Sequence, residues 1–303
     1  MDILLHQLTQ KKINKKIKIS GSKSESNRLL ILQNLFPEIS IDNLSDSDDS
    51  VHMQHALSTK DELVDIGHAG TAMRFLTSYF AVNKGRETVL TGSERMQNRP
   101  IEILVNALKD LGAEISYEAK EGYPPIRIKV TKIIKDKVQI NGNVSSQYIS
   151  SLLLIASKLE NGLEIELIGK ITSIPYINMT LSLLTQLGIE NKFEGNFIKV
   201  YPKNEIKKQV VVVESDWSSA SYFYSIIALS EIGSEIQLTA YKEESLQGDS
   251  CLAEIYKHFG VVSTFGKNFI TLKKVKETNK ETLEIDLKNA PDIAQTIAVT
   301  CFA

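Results

Sequence analysis

Cysteine is scarce here: the 303 residues contain two, Cys251 and Cys301, and neither sits in a metal-ligand spacing. That excludes a disulfide framework and fits a reducing compartment, where disulfides are rare. Long apolar runs are missing as well; none approaches the roughly 18 residues that would read as a membrane span. The N-terminus, Met1-Asp2-Ile3-Leu4-Leu5-His6, has an early acid and a short apolar stretch with no secretory h-region behind it. The expected location is the cytoplasm. Neither sign of charge is in excess, because 35 Lys and Arg face 37 Asp and Glu for a net charge of −2. Nothing in that balance draws the chain to nucleic acid. Any anion site must be made locally, by a few placed cations. His52, His55, His68 and His258 form no metal-ligand group. What is present is an apolar fraction of 42%, enough for real cores, and a length of 303 residues that suits two domains.

The chain repeats itself. Leu108-Lys109-Asp110-Leu111-Gly112-Ala113, Leu184-Thr185-Gln186-Leu187-Gly188-Ile189 and Tyr256-Lys257-His258-Phe259-Gly260-Val261 each end an amphipathic stretch in two apolar residues and a glycine, 76 and 72 residues apart. The glycine suits the position just past a helix, where the left-handed conformation carries no Cβ penalty. A second signature opens at Gly70, Ser145, Ser218 and Pro291, spaced 75, 73 and 73 residues. Each leads into a strongly apolar segment, and the pattern predicts buried helices over 75–82, 149–159, 222–229 and 293–303. Strand-like runs such as Leu163-Glu164-Ile165-Glu166-Leu167 separate the helices. The unit is strand–helix–strand–helix and further strands, with helices buried and sheets outside. The last unit stops inside its first helix, so the chain is expected to be incomplete at its C-terminus.

Several motifs sit at predicted helix starts, where free N–H groups and the positive dipole end favour anions. In Gly21-Ser22-Lys23-Ser24-Glu25-Ser26-Asn27-Arg28, Ser22 and Glu25 have capping-box spacing. Lys23, Ser24 and Arg28 supply a point charge, a hydroxyl and a planar fork suited to phosphate or carboxylate. A capped helix with solvated charges explains the same residues. Gly67-His68-Ala69-Gly70-Thr71-Ala72-Met73-Arg74 reads as a tight turn or as a backbone cradle. In Leu90 to Ile101, Pro100 suits a first helical turn. Arg99 then stands at a positive helix end, a mild conflict that favours a ligand. Ser145, Ser146 and Gln147 can cap a helix or bind a sugar phosphate, and Ser173-Ile174-Pro175-Tyr176 carries the same ambiguity. Asp292, in Asn289-Ala290-Pro291-Asp292, complements a dipole or acts as a base. Ser45-Asp46-Ser47-Asp48-Asp49 reads as a loop capping the next helix, and Trp217 as a packing residue near a domain junction.

Taken in order, these motifs, with Val213-Glu214-Ser215-Asp216 and Gln247-Gly248-Asp249, resemble the 5-enolpyruvylshikimate-3-phosphate synthase family from about residue 21 to residue 303. The resemblance implies an α/β (α+β), enolpyruvyl-transferase-like fold of two domains, built from repeated βαβαββ subdomains with buried helices and outer sheets. Residues 21–213 would be a complete domain of three subdomains, on the shikimate 3-phosphate side. Residues 1–20 with 214–303 would be a second domain, incomplete at its end. It implies transfer of the enolpyruvyl group of phosphoenolpyruvate to the 5-hydroxyl of shikimate 3-phosphate, with release of phosphate. No metal or organic cofactor is implied, nor any nucleic-acid or membrane partner, and a monomer is expected. By resemblance, shikimate 3-phosphate is held by Lys23, Ser24, Arg28, Ser145, Ser146, Gln147, Ser173, Tyr176 and Asp292. Phosphoenolpyruvate meets Lys23, Gly70, Arg99 and Gln147. Lys23 and Asp292 are the catalytic pair, Asp292 as general base.

Three departures from the family pattern stand out. His68 replaces a common Asn, Phe75 replaces a common Pro, and the later Lys-Glu-Thr-Asp-Arg and Asp-His-Arg-Met type motifs are absent, so less than full activity is expected. A related enolpyruvyl transferase acting on UDP-N-acetylglucosamine is the nearest rival. It usually carries a reactive Cys before the arginine that Arg99 matches, and residues 91–98 contain none. A non-catalytic anion-binding fragment is the alternative from a different class.

Overall fold

Leu163-Glu164-Ile165-Glu166-Leu167-Ile168 alternates in polarity, and it folds as a strand with its inward apolar residues buried and its glutamates half-buried. This is the period-2 signature of a sheet with one face in the core. By contrast, Gly70–Val82 is apolar nearly all round, and twelve of its thirteen residues, Gly70 to Ala81, are buried. Such a helix must be enclosed by other elements.

The computed structural model describes residues 12–83, 87–129, 131–172, 174–278 and 282–302. The N-terminal residues 1–6 read above, Ser173 and Ala303 lie outside the described residues. The chain forms two units: Lys23–Val213, and the described part of residues 1–22 with 214–303. The first strand, β1 (Asn14–Ile17), belongs to the second of these.

Lys23–Val213 opens with α1 (Lys23–Leu35), β2 (Ile39–Asp42) and α2 (Asp48–Ser58). A βαβαββ block follows: β3 (Leu63–Asp65), α3 (Gly70–Val82), β4 (Thr88–Thr91), the short α4 (Glu94–Gln97), α5 (Glu102–Leu111), β5 (Glu114–Tyr117) and β6 (Ile126–Lys129). A second block repeats it: β7 (Lys137–Asn141), α6 (Ser146–Ala156), β8 (Leu163–Ile168), α7 (Ile174–Gln186), β9 (Asn191–Glu194) and β10 (Phe197–Val200). Their sheets, β3-β4-β6-β5 and β7-β8-β10-β9, share one order, with the first pair parallel and the rest antiparallel. The last strand, β11 (Gln209–Val212), pairs in parallel with β2. Inside, α1, α3, α6 and α7 pack on one another.

The other unit runs through α8 (Trp217–Ala228), β12 (Glu235–Thr239), a 3-10 turn Gly248–Cys251 into α9 (Leu252–Ile255), β13 (Val261–Gly266) and β14 (Phe269–Lys274). A second 3-10 turn, Pro291–Ile293, leads into α10 (Ala294–Phe302). Its sheet order, β1-β12-β14-β13, is that of the other blocks, with β1 supplying the parallel first strand from far earlier in the chain. Trp217 is fully buried at the start of α8, against Tyr224, Tyr241 and Phe265. It is therefore the aromatic centre of this core.

The glycines past the helices behave as their position requires. Gly112 ends α5 in the left-handed region at φ 111°, and Gly188 and Gly260 have φ 76° and 74°. The four buried helices begin three to five residues before the apolar segments in the first three cases, because polar first turns belong to them. In the last case the 3-10 turn takes Ile293. Pro100 differs more. It precedes α5, whose N-cap is Ile101 at φ −132°. The reason is that the Pro100 carbonyl is used elsewhere, accepting from Tyr148 Oη at 2.8 Å and Arg74 Nη2 at 3.4 Å.

Candidate active site

In Lys23–Val213 the first turns of the buried helices are tied together. Gln147, second residue of α6, donates from Nε2 to Oγ1 of Thr71, second residue of α3, at 3.3 Å. Arg28 does the same for α1 and α7. Its Nη1 donates to the Ser24 carbonyl at 2.8 Å, and its Nη2 to the Tyr176 carbonyl at 3.3 Å. The same side chain donates from Nε to Thr180 Oγ1 at 2.8 Å and from Nη2 to Ser150 Oγ at 3.0 Å. Helix starts therefore gather at one end of the unit, and their unsatisfied N–H groups and dipoles make that end electropositive.

The cations there differ in kind. Lys23 and Arg99 are exposed, and among the described residues neither forms an ion pair. Arg28 is 3% exposed, and burial pulls its guanidinium down to about 10. Arg74 is also buried and pulled down, first by burial and then by the nearby charge of Arg99. Its Nη1 holds the Gly70 carbonyl at 3.0 Å. Gly70 itself lies so close to Arg99 that a Cβ there would collide with Nη1 of that guanidinium. Two cations thus meet at the first turn of α3, where the Asp49 carboxylate, accepting from the Thr71 N–H, already offsets part of their repulsion.

The remaining residues sort as follows. Ser145 is exposed and caps α6, its Oγ accepting from the Gln147 N–H at 3.4 Å. Ser146 is buried, and Gln147 and Tyr176 are half-buried. The capping box at α1 is not the simple reciprocal pair, since the Ser22 N–H donates to the Glu214 carbonyl at 2.8 Å. Asp292 belongs to the other unit, exposed on the turn Pro291–Ile293. That turn is packed against the turn Gly248–Cys251, with Gly248 so near the Asn289 carbonyl that no Cβ fits. Asp249, 9% exposed, accepts a short 2.5 Å hydrogen bond from Ser218 Oγ. Its carboxyl is pushed up to about 6 by burial, with further upward pressure from Asp292 and Asp216. Nearby, the buried Glu214 carboxylate accepts from Trp217 Nε1, the Lys242 N–H, Ser245 Oγ and Gln247 Nε2. Among the described residues no group of three or more His, Cys, Asp or Glu could hold a metal, and no helix is long and apolar enough to cross a membrane.

The sequence profile of the EPSP synthase (3-phosphoshikimate 1-carboxyvinyltransferase) family matches residues 55–303. A 3-phosphoshikimate 1-carboxyvinyltransferase of Bacteroides fragilis is 46% identical over 286 residues, covering 94% of this chain and 69% of that protein. This chain belongs to the EPSP synthase family. The Mannheimia haemolytica protein of the same name is 37% identical over 322 residues, covering 95% of this chain and 73% of its own. An EPSP synthase structure from Acinetobacter baumannii superposes with a TM-score of 0.78 at 20% identity, covering 96% of this chain and 72% of that one. That likeness carries the enolpyruvyl-transferase-like α/β fold. As a family member the chain is a transferase of the shikimate pathway, and the UDP-N-acetylglucosamine alternative is not favoured.

Lys23, Ser24 and Arg28 lie before the stretch matched by the EPSP synthase profile. Sequence reading missed Ser150, Thr180 and Arg74 as supports of this end of the unit. A signal was there: Ser146 with Ser150, and Tyr176 with Thr180, place polar residues four apart in helices otherwise apolar, a spacing that shares one face. Asp49 was read within a loop capping its own helix. Its Oδ1 instead accepts from the Thr71 N–H at 3.1 Å and so caps α3, while N-cap Ser47 of α2 makes no side-chain cap bond.

Proposed function

We propose that the gathered helix starts of Lys23–Val213 form the substrate-binding face for the family's reaction. There the enolpyruvyl group of phosphoenolpyruvate passes to the 5-hydroxyl of shikimate 3-phosphate and phosphate leaves. The observation that carries this is Arg99, exposed and without an ion pair among the described residues, lying against Gly70 at the first turn of α3. Phosphoenolpyruvate brings a phosphate and a carboxylate, and either gives Arg99 an anionic partner. On this reading Lys23, Gly70, Arg99 and Gln147 meet phosphoenolpyruvate. Lys23, Ser24, Arg28, Ser145, Ser146, Gln147, Ser173 and Tyr176 hold shikimate 3-phosphate. Lys23–Val213 is then the shikimate 3-phosphate side, and the chain acts as a monomer.

The chemistry needs a proton delivered to the methylene carbon of the alkene while the hydroxyl oxygen attacks its neighbour. Lys23 is the candidate donor. Asp292 accepts the hydroxyl proton, and the tetrahedral intermediate then expels phosphate beside the surrounding cations while its methyl group returns a proton to Lys23, which re-forms the alkene. Titrating phosphoenolpyruvate into the chain with shikimate 3-phosphate saturating tests the binding half. Arg99→Ala should weaken phosphoenolpyruvate by about 2–5 kcal/mol. Equal affinity in both proteins would rule the site out. In the same preparation Asp292→Asn should keep shikimate 3-phosphate binding within about tenfold while turnover falls roughly 10²–10⁴-fold. Undiminished turnover would remove Asp292 as the base.

A further inference from the structure

The Arg28 guanidinium is held in two distinct ways. Its edges make the four hydrogen bonds to Ser24, Ser150, Tyr176 and Thr180, every one to a neutral oxygen. The cation also lies over the ring of Phe75 of α3, with Cζ 5.4 Å from the ring centroid. Both side chains are buried, Phe75 at 1% and Arg28 at 3% exposure.

Edge hydrogen bonds fix a planar group within its own plane. They resist tilting out of that plane poorly, because each bond tolerates a broad angle. The Phe75 ring adds an attraction from outside that set of bonds, since its quadrupole draws the cation, most strongly away from water. The tilt matters here because two of the edge acceptors are first-turn carbonyls, Ser24 of α1 and Tyr176 of α7. Phe75 offers a substrate no charge and no hydrogen bond of its own, so any influence it has on an anion runs through Arg28.

We propose that Phe75 is a positioning residue for shikimate 3-phosphate, its ring face holding the Arg28 guanidinium in the socket made by α1, α6 and α7. This rests on the reading of Arg28 as a ligand of that substrate. A core residue that merely fills space would be indifferent to the electronics of its ring, whereas a cation-holding face would not.

The experiment changes the electronics at nearly constant shape. The full chain is made with 3,4,5-trifluorophenylalanine at position 75, which drains the negative face of the ring, and shikimate 3-phosphate binding is measured by calorimetry. Kd should rise about tenfold while the melting temperature stays close to that of the unmodified chain. Phe75→Leu, which removes the ring, should shift Kd in the same direction. In an Arg28→Ala background neither change should weaken binding further. An unchanged Kd on fluorination, or an equal loss in the Arg28→Ala background, would overturn the role of Phe75. If Arg28→Ala itself left Kd unchanged, or if the unmodified chain did not bind shikimate 3-phosphate, the underlying reading of Arg28 would fail instead.

Discussion

Two helix pairs in this chain make the same contact in opposite surroundings. In Lys23–Val213, Ser78 of α3 meets Ser151 of α6, 73 residues on, with their hydroxyl oxygens 2.5 Å apart. In the other unit, Ser221 and Ser225 of α8 meet Thr296 and Thr300 of α10, 75 residues on, at 3.0 and 2.8 Å. The repeat thus conserves a seam of small hydroxyls between successive copies of the same helix. What surrounds the seam differs. Beside α3 and α6 the buried groups include two guanidinia, Arg28 and Arg74, with the Glu25 carboxylate and a set of hydroxyls. In and around α8 three large aromatics, Trp217, Tyr224 and Tyr256, are fully buried, with Glu214, Asp249 and Lys274 as the buried charged groups. The repeat therefore sets the backbone and the seam, while the content of the interior varies independently. A cation-bearing interior prepares a helix end for anions. An aromatic interior supplies rigidity, and there the perturbed charges are an acid, Asp249, and a buried lysine, Lys274, whose ammonium donates to the Ala228 and Phe259 carbonyls and is pulled down by burial.

The comparison breaks most visibly at Trp217. Removing a buried aromatic of this size costs about 3–5 kcal/mol. Trp217→Ala should therefore strip amide-exchange protection from 214–302 while Lys23–Val213 keeps its own. Loss of protection in both units together would show that their cores are not independent.

A smaller effect separates how the two units carry uncomfortable charge. Asp249 has its carboxyl pushed up to about 6, above an ordinary value of 3.8. The folded chain then binds that proton more tightly than the unfolded chain. The resulting stability is fully present below about pH 4 and is lost as pH rises to about 6. Asp249→Asn should accordingly leave stability unchanged near pH 3.5 and raise it by about 1–2 kcal/mol at pH 7. Urea midpoints across that pH range give the answer, and a variant less stable at pH 7 would contradict it. Arg28 and Arg74 are displaced in the cationic sense, downward and chiefly by burial.

Much of the architecture was legible in the sequence because it follows from short-range rules. The period near 73 residues, the glycines at left-handed helix ends and the alternating strands each need only local chemistry. The helix-start motifs were legible as places where anions are favoured. What could not be read were partners chosen in three dimensions. Pro100 looks like a first-turn residue, yet its carbonyl is claimed by Tyr148 and Arg74 from other helices. Asp49 looks like a cap for its own helix, yet it caps α3. The socket of Arg28 draws on residues 122 and 152 positions away, a distance at which no spacing rule operates. Phe75 was read as a departure from the family pattern, while its ring meets Arg28.

The seam itself gives the finest test, because its proton order can be worked out. Ser151 Oγ donates to the Arg74 carbonyl at 2.6 Å, which uses its one hydrogen. In the 2.5 Å pair Ser78 must then be the donor and Ser151 the acceptor. Ser78→Ala removes a donor but leaves the bond from Ser151 to Arg74 intact, so nothing buried loses its last partner. Ser151→Ala leaves the Ser78 hydroxyl stranded in the core and strips an acceptor contact from Arg74. An unsatisfied buried hydroxyl costs about 1–3 kcal/mol, against roughly 0.5–1.5 for an ordinary hydrogen bond lost. Ser151→Ala should therefore destabilise Lys23–Val213 more than Ser78→Ala by about 1 kcal/mol. The double variant should cost less than the sum, since the stranded group is gone. Urea midpoints for the three proteins, with amide exchange in α3 and α6 to locate the change, decide the matter. Equal losses from the two single variants would mean that the hydroxyls trade roles, and the proton order drawn from the distances would be wrong.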